Sequence, residues 1–217
     1  MLCKKILNGY FGGSPIVDSR CVLTGKIPRK NYEYRGGLLN YQKTKNDIVR
    51  WIKEDTGAYV TTMFDFFRLP NDFPGYTQAM SCPDHRESVR ILEEAMKADI
   101  ASDGKLVNVG QRFIPYIQLH EFEALLFTDI HVLKEDYLEP DDQAKIDRLY
   151  EDTKEIPPEE IDHGEDTAPS KRLLRTVGYR KGEAASQLLE KIGIDAIREK
   201  CPHFSEWIAT LQMLKEY

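Results

Sequence analysis

The sequence predicts an α/β fold with a mostly parallel sheet, flanking helices and a helical C-terminal part. Two segments, residues 58–67 and 113–119, are rich in β-branched and aromatic side chains, as buried strands are. A helical pattern lies between them, over residues 84–99, and the chain is helical in pattern from residue 167 onward. A strand, a helix and a strand at this spacing predict one βαβ unit with parallel strands and a right-handed crossover.

The composition is that of an ordinary globular protein. The chain has 217 residues, of which 41% are hydrophobic and 30% are charged. This is enough for one sizeable α/β domain, or for a domain with a helical appendage. The formal net charge of −6 argues against a generic basic protein that wraps nucleic acid, although it leaves room for a local basic patch.

The sequence also favours a cytoplasmic location. No apolar run approaches the roughly 20 residues that a membrane-spanning helix needs, so no membrane partner is expected. The start of the chain lacks the long apolar stretch and the small-residue cleavage site of a secretory signal. The four cysteines lie far apart and form no CxxC pair, which predicts reduced structural thiols.

Local signals predict the elements before the first strand. A short amphipathic piece lies within residues 3–10, and glycine-rich sequence follows it. A helix is predicted from Thr44, because Thr44 and Asp47 have the spacing of a capping box. Gly57 ends this helix just before the first predicted strand.

Similar signals continue through the middle of the chain. The helix between the strands is predicted to begin at Asp84, which has cap spacing with Glu87. Apolar side chains along this helix form a stripe that would face the core. The second strand runs directly into residues 120–127 (HEFEALLF), where we expect the strand to turn into a helix.

The last third of the chain has a different composition. Residues 135–166 are strongly acidic, with a short helix predicted near residues 142–150 and a break at Pro157-Pro158. Beyond this stretch, helices are predicted over residues 169–176, residues 183–192 up to Gly193, and the terminal stretch through residues 204–214.

Acidic side chains follow both predicted strands. Asp65 lies near the end of the first, and His120, Glu121 and Glu123 follow the second. Ligands collect at the carboxyl ends of parallel strands, and carboxylate oxygens suit Mg²⁺, so a metal site is one interpretation. The alternative is that Asp65 caps a loop and the glutamates form a solvated helix start, favoured by the helix dipole. His120 could be a ligand, a proton shuttle or a hydrogen-bonded core histidine.

Positive charge is concentrated around the start of the predicted helix at residue 169. Ser170, Lys171 and Arg172, with Lys181 beyond them, could hold a phosphate at a helix N-terminus. The alternative is a solvated helix face that pairs with the acidic stretch before it. Asp72, in a Pro- and Gly-containing loop, is more typical of a turn than of a ligand.

Several strings together resemble a bacterial family, domain of unknown function 4276. The resemblance covers roughly residues 16–214. The strings are RGGLLNY (35–41), VTTMFDFFRLPNDFPG (60–75), FIPYIQLHEFEALLF (113–127), DTAPSKRL (166–173) and CPHFSEW (201–207).

The resemblance implies a Toprim-like, Rossmann-like fold, as in topoisomerases, primases and overcoming-lysogenisation-defect nucleases. It implies a nuclease-type effector of an anti-phage defence system, dependent on Mg²⁺ or Mn²⁺, with nucleic acid as substrate and an ATPase as partner. By this resemblance Asp65 and Glu123 are metal ligands, with Glu121 close by. In the leading interpretation, the positively charged Lys171 and Arg172 would clamp the phosphodiester. A homodimer is left open.

The resemblance also guides the expected domain organisation. Residues 1–134 would form the Toprim-like α/β core, and residues 135–217 a mainly helical extension packed on it. The family usually opens with a strand that ends in an EGxTE motif, and this motif does not occur here, so we expect the first strand to be missing. The alternative function is therefore a non-catalytic interaction module that docks on the ATPase. A nucleotide-binding enzyme would need a phosphate loop, and no such motif is recognised.

Overall fold

The computed structural model places the chain in two compact units. The described residues are 2–22, 25–27, 32–34, 40–67, 69–102, 109–161, 164, 166–179 and 183–214, of which 2, 3, 25–27, 32–34 and 183 are described by their backbone alone. One unit is Arg20–Gln118, and the other combines Met1–Ser19 with Leu119–Tyr217. The domain limits expected from the sequence, 1–134 and 135–217, stay a prediction.

Helices dominate the described residues, with short strands between them. The α-helices are α1 (Leu2–Phe11), α2 (Tyr41–Glu54), α3 (Tyr76–Met80), α4 (His85–Ala101), α5 (Val109–Arg112), α6 (Pro140–Thr153), α7 (Pro169–Val177), α8 (Glu183–Ile192), α9 (Ile194–Lys200) and α10 (Pro202–Met213). The strands are β1 (Gly25–Ile27), β2 (Tyr32–Tyr34), β3 (Val60–Thr61), β4 (Phe64–Asp65), β5 (Phe113–Ile114) and β6 (Ile117–Gln118). The 3-10 helices are Phe122–Thr128, Ile130–Glu135 and Pro158–Glu160.

The predicted parallel pairing is confirmed, but the prediction of two long, unbroken strands is wrong. Strand β3 pairs parallel with β5 and β4 pairs parallel with β6, so each predicted strand is split into two short ones. The break has a chemical cause. Thr62 Oγ1 accepts a hydrogen bond from Tyr116 N at 2.9 Å and donates one to Tyr116 O at 3.0 Å, so a side chain replaces the strand ladder there. Pro115, beside it, has no N–H to give.

The start of α2 corrects the predicted capping box. Asn40 is the N-cap, and its side chain accepts from Lys43 N at 2.9 Å. Thr44 lies inside the first turn and donates to Asn40 O at 3.2 Å, while Asp47 forms an ion pair with Arg50. Asparagine is as good an N-cap as Ser or Asp, so the helix starts four residues earlier than predicted.

The predicted helix between the strands is confirmed as α4. Asp84 is its N-cap and accepts from Arg86 N at 2.9 Å and from Glu87 N at 3.4 Å. Most of the predicted apolar stripe is buried in this unit, and Glu93 Oε1 accepts from Ile117 N at 2.7 Å. Thus α4 supports β6 through a side chain as well as through its apolar face. Of the predicted stripe, Val89, Leu92 and Met96 are buried and Ala95 is partly exposed, while Ile100 extends the buried face.

The antiparallel pair of β1 with β2 was not predicted from the sequence. In the same unit, the guanidinium of Arg112 donates hydrogen bonds to backbone carbonyls in and after the last turn of α2. It donates to Asp55 O at 3.0 Å and to Ala58 O at 3.2 Å, and more weakly to Ile52 O at 3.4 Å. A planar guanidinium has several donors in a fixed fork, which suits it to carbonyls at the end of a helix and just after it.

The 3-10 helix Phe122–Thr128 lies at the centre of the other unit. It packs against α7, α8, α9 and the 3-10 helix Pro158–Glu160, and its Ala124, Leu125 and Leu126 side chains are buried. The sequence predicted a helix here, and the structure shows that it is the tighter 3-10 form. The predicted helices α7 and α8 are confirmed, each followed by a glycine with positive φ, Gly178 and Gly193.

Across the described part of the chain, no helix combines the length and the apolar character that spanning a membrane requires.

Candidate functional site

The chain leaves β6 through a strained residue. His120, two residues after the strand ends, has a φ of 59° in the left-handed region, which residues other than glycine seldom adopt. Its side chain is buried. Burial agrees with the core-histidine interpretation, while the roles of ligand or proton shuttle stay predictions. Left-handed residues are frequent at functional sites, because the surrounding structure has to hold them there.

The two glutamates that follow His120 are buried in the unit that contains Leu119–Tyr217. Glu121 is only 3% exposed and Glu123 only 4%. The alternative that they form a solvated helix start is therefore wrong. Removing a carboxylate from water is costly unless a donor, a cation or a proton compensates it, so each of these side chains requires a compensating group.

The compensation for Glu121 comes from α7. Its Oε2 accepts a hydrogen bond from Ser170 N at 3.0 Å, and this bond is buried. Ser170 is the second residue of α7, and the N-cap residue Ala168 offers no side-chain acceptor. Glu121 therefore acts as a cap from 49 residues away, and the positive end of the helix dipole stabilises its charge.

Of the predicted phosphate-binding residues, Arg172 is engaged within its own segment, as is the neighbouring Arg175. Arg172 Nε donates to Thr167 O at 2.7 Å, and Arg175 pairs with the Asp166 carboxylate and donates to its backbone carbonyl at 2.8 Å. Pairing with the preceding acidic stretch is thus observed for Arg175. Lys171 is half-buried. The predicted phosphate ligand Lys181 lies outside the described residues.

Sequence reasoning missed a buried phenol in this unit. Tyr179 follows Gly178, the residue that ends α7, and is 2% exposed. Among the described residues, none forms a hydrogen bond with its hydroxyl. Burial, and then the charge of Glu123, raises the pKa of Tyr179 far above its usual value, with smaller contributions from Tyr137 and Glu121. The only sequence signal was an apolar residue directly after a helix-ending glycine, which is common.

A second buried carboxylate that the sequence did not reveal caps α10. Glu159 accepts from His203 N at 3.0 Å and from Phe204 N at 2.9 Å.

The thiol of Cys201 lies 3.7 Å from Thr128 Oγ1. Burial, and then the charge of Glu159, raises the pKa of Cys201 to about 12. This agrees with the predicted structural thiols, and Cys21, Cys82 and Cys201 are all outside disulfides.

The remaining predicted site residues lie in the unit Arg20–Gln118. Asp65 is half-buried and in parallel register with Gln118. Its role as a metal ligand together with Glu123 stays a prediction. Asp72 Oδ2 accepts from Tyr41 N at 2.8 Å, which fits a structural role in its loop. Within the described residues, no group of three or more His, Cys, Asp or Glu side chains is arranged to hold a metal ion.

The fold and the site define an α/β protein with short parallel strand pairs among many helices and with buried carboxylates after its last strand. A model of the family described as Domain of unknown function (DUF4276) matches residues 2–212, and the chain belongs to this family. The resemblance seen in the sequence is therefore confirmed. Searches of the curated proteins and of the solved structures gave no match.

Proposed function

We propose that the protein is a metal-dependent phosphodiesterase, a nuclease-type effector that uses Glu121 and Glu123. The observation that supports this most directly is the burial of both carboxylates beside Tyr179, whose hydroxyl forms no hydrogen bond among the described residues. Acidic side chains are seldom buried without a compensating charge or donor.

The two glutamates suit the chemistry of Mg²⁺ or Mn²⁺. Hard divalent cations take carboxylate oxygens, and Mg²⁺ commonly uses one or two carboxylates while keeping several waters or phosphate oxygens. A carboxylate can accept about four hydrogen bonds, so the bond from Ser170 N leaves Glu121 able to act as a ligand. Asp65 is the further ligand that we propose from the sequence. A bound cation would activate water and offset charge on the phosphate.

The chain's own residues would position the site. The buried hydrogen bond from Ser170 N orients the Glu121 carboxylate, and the left-handed turn at His120 sets the direction in which the chain leaves the strand. Lys171 and Arg172 would attract the phosphodiester, although Arg172 also holds the Thr167 carbonyl. Charges that are fixed before the substrate arrives need no rearrangement during the reaction.

The biological setting is proposed from the family resemblance. It comprises a Toprim-like fold, a bacterial anti-phage defence system, an ATPase partner and a cytoplasmic location. The short parallel strand pairs support the fold proposal because they have the sense that a Toprim-like sheet requires.

A second candidate is a non-catalytic interaction module of the same kind of system. The internal bonds of Glu121, Arg172 and Arg175 favour it, because groups that would meet a phosphate already have partners inside the unit. Under this proposal the buried carboxylates stabilise helices, and the protein contributes a docking surface.

A cleavage assay tests the first candidate against the second. We expect the full chain to cleave single- or double-stranded DNA or RNA with Mn²⁺ and to lose this activity with a chelator. Glu123→Gln should remove at least 100-fold of the rate, because the charge that would hold the cation is gone. Glu139→Gln, on an exposed residue at the start of α6, is the matched control and should cleave normally. Absence of metal-dependent cleavage and binding in the wild-type chain would favour the second candidate.

A further inference from the structure

Tyr179 differs from other buried tyrosines of this protein in its hydrogen bonding. Its hydroxyl is shielded from solvent, and no described residue bonds to it. Tyr116 is buried to the same degree, but its hydroxyl donates to Gln118 Oε1 at 2.7 Å. Buried tyrosine hydroxyls usually find a partner, because leaving one without a hydrogen bond destabilises the folded state. Among the described residues, one buried phenol thus has its hydrogen-bond partner and the other has none.

The surroundings of Tyr179 limit what that group can be. Glu123 and Glu121 are close enough for their charges to act on the hydroxyl, and both are more than nine-tenths buried. A phenol is protonated at neutral pH even at its ordinary pKa, so Tyr179 has a proton to donate. The missing group is therefore a hydrogen-bond acceptor that tolerates, or is accompanied by, charge opposite to that of the carboxylates.

A phosphodiester bound together with a divalent cation meets both requirements. The cation offsets the two carboxylates, and the non-bridging oxygens of the phosphate are strong acceptors. A neutral phenol adds a donor without adding charge. A lysine at this position would instead form an ion pair with the glutamates and compete with the cation.

We propose that Tyr179 is a substrate-binding residue, whose hydroxyl donates a hydrogen bond to a non-bridging phosphate oxygen at the site of Glu121 and Glu123. This inference rests on the proposed phosphodiesterase function and adds to it a residue that positions the substrate. The place of Tyr179 after Gly178 fits this role, since the same helix that is anchored at its start by Glu121 delivers the phenol at its end.

Binding measurements with Tyr179→Phe test the inference. Fluorescence anisotropy is recorded with labelled DNA and RNA oligonucleotides, with Ca²⁺ in place of Mg²⁺ to suppress cleavage. We expect Tyr179→Phe to weaken binding about 10-fold or more, as for a lost hydrogen bond to a charged group. Tyr150→Phe, an exposed tyrosine on α6, is the matched control and should bind as the wild type does.

Thermal unfolding without ligand supplies the second readout. Tyr179→Phe should melt at the wild-type temperature or above it, because it removes a buried hydroxyl to which no described residue bonds. Tyr116→Phe should melt several degrees lower, because it leaves Gln118 without its donor.

Each result decides a different question. A Tyr179→Phe variant that binds as tightly as the wild type overturns this inference and leaves the proposed function standing. A Tyr179→Phe variant that loses as much stability as Tyr116→Phe also overturns it, because the hydroxyl would then have a structural partner. A wild-type chain that binds no oligonucleotide with any divalent cation overturns the proposed function and this inference together.

Discussion

The carboxylate of Glu121 receives the backbone N–H of Ser170 at 3.0 Å, in a buried position, across 49 residues of sequence. The start of a helix normally finds its acceptor in a Ser, Thr, Asp or Asn just before it. Here that place is held by Ala168, and the acceptor comes from the segment after the last strand. The interaction fixes a buried charge and a helix start at the same time, so each depends on the other.

Glu121→Ala should destabilise the protein by about 2 kcal/mol. The change removes the cap of α7 and leaves the buried N–H of Ser170 without an acceptor. Glu121→Gln keeps an acceptor oxygen and should therefore lose less stability than Glu121→Ala. Urea unfolding measures both. Glu139→Ala is the control, because Glu139 stands at the start of α6 without a side-chain cap bond, and it should change little. Equal stability of Glu121→Ala and the wild type would contradict the capping role.

Glu159→Ala should lower the free energy of unfolding by about 3 kcal/mol, which is more than the loss expected for Glu121→Ala. Glu159 accepts two backbone bonds at the start of α10, from His203 N and Phe204 N, whereas Glu121 caps α7 through Ser170 N. The same urea series gives the comparison. A smaller loss of stability in Glu159→Ala than in Glu121→Ala would show that the number of capping bonds does not determine the size of the loss.

Cys201 should resist alkylation while the protein is folded. Its pKa of about 12 keeps the thiol protonated at pH 8, and the thiolate is the reactive form. Cys21 is exposed and should react first. Peptide mapping by mass spectrometry after brief treatment with iodoacetamide, with and without urea, measures both sites. Modification of Cys201 in the folded protein at the rate of Cys21 would show that its thiol is not buried.

Asp99→Asn should lower stability at neutral pH and have less effect in acid. Burial raises the pKa of Asp99, but hydrogen bonds from Lys45 and Tyr41 and the charge of Lys45 outweigh it and hold the pKa below its usual value. A carboxylate with a lowered pKa stabilises the fold above its unfolded pKa, and this contribution is lost as pH falls through the folded value. The side chain is 33% exposed, so Asp99→Asn is expected to lower the free energy of unfolding by about 1 kcal/mol.

Urea unfolding of wild type and Asp99→Asn at pH 7 and at pH 3 measures this dependence. The difference between the two proteins should shrink at pH 3, where the unfolded carboxyl is mostly protonated. A difference that stayed constant over this range would mean that the charge of Asp99 does not matter. The Lys45 ammonium, 2.8 Å from Asp99 Oδ2, is the group that its loss would leave without a counter-ion.

Asp65→Ala should remove most of the Mn²⁺ binding of the chain. This prediction comes from the family resemblance, which gives Asp65 and Glu123 as ligands. Isothermal titration calorimetry with MnCl₂ measures the affinity, and Asp152→Ala, an exposed aspartate on α6, is the control. Unchanged affinity in Asp65→Ala would exclude Asp65 as a ligand.

Elements with local signals were predicted well from the sequence. Asp84 before α4, Pro169 at the first position of α7 and Gly193 after α8 each act on the backbone within one turn. The start of α2 was missed because two polar residues, Asn40 and Thr44, offered equivalent caps, and only the folded chain distinguishes them.

The site was harder to predict because its determining contacts are distant in sequence. That residues 121 and 123 are acidic and follow a strand can be read directly, but their burial cannot. The cap from Glu121 to Ser170 depends on how α7 packs against the 3-10 helix Phe122–Thr128. The burial of the Tyr179 hydroxyl, to which no described residue bonds, likewise depends on packing. Similarly, the strand break at Thr62 depends on a side chain that takes over backbone bonding across 54 residues.

The long-range caps have a consequence for the order of folding. A helix of nine residues such as α7 is too short to persist alone in water, and its start is stabilised by a residue far away in the chain. The ends of that long loop must meet before the cap can form, so α7 should appear late, together with the closure of its unit. The same holds for α10, whose cap Glu159 lies 44 residues before His203. A synthetic peptide of residues 166–179 would therefore remain mostly unfolded, although the same residues form a regular helix in the intact chain.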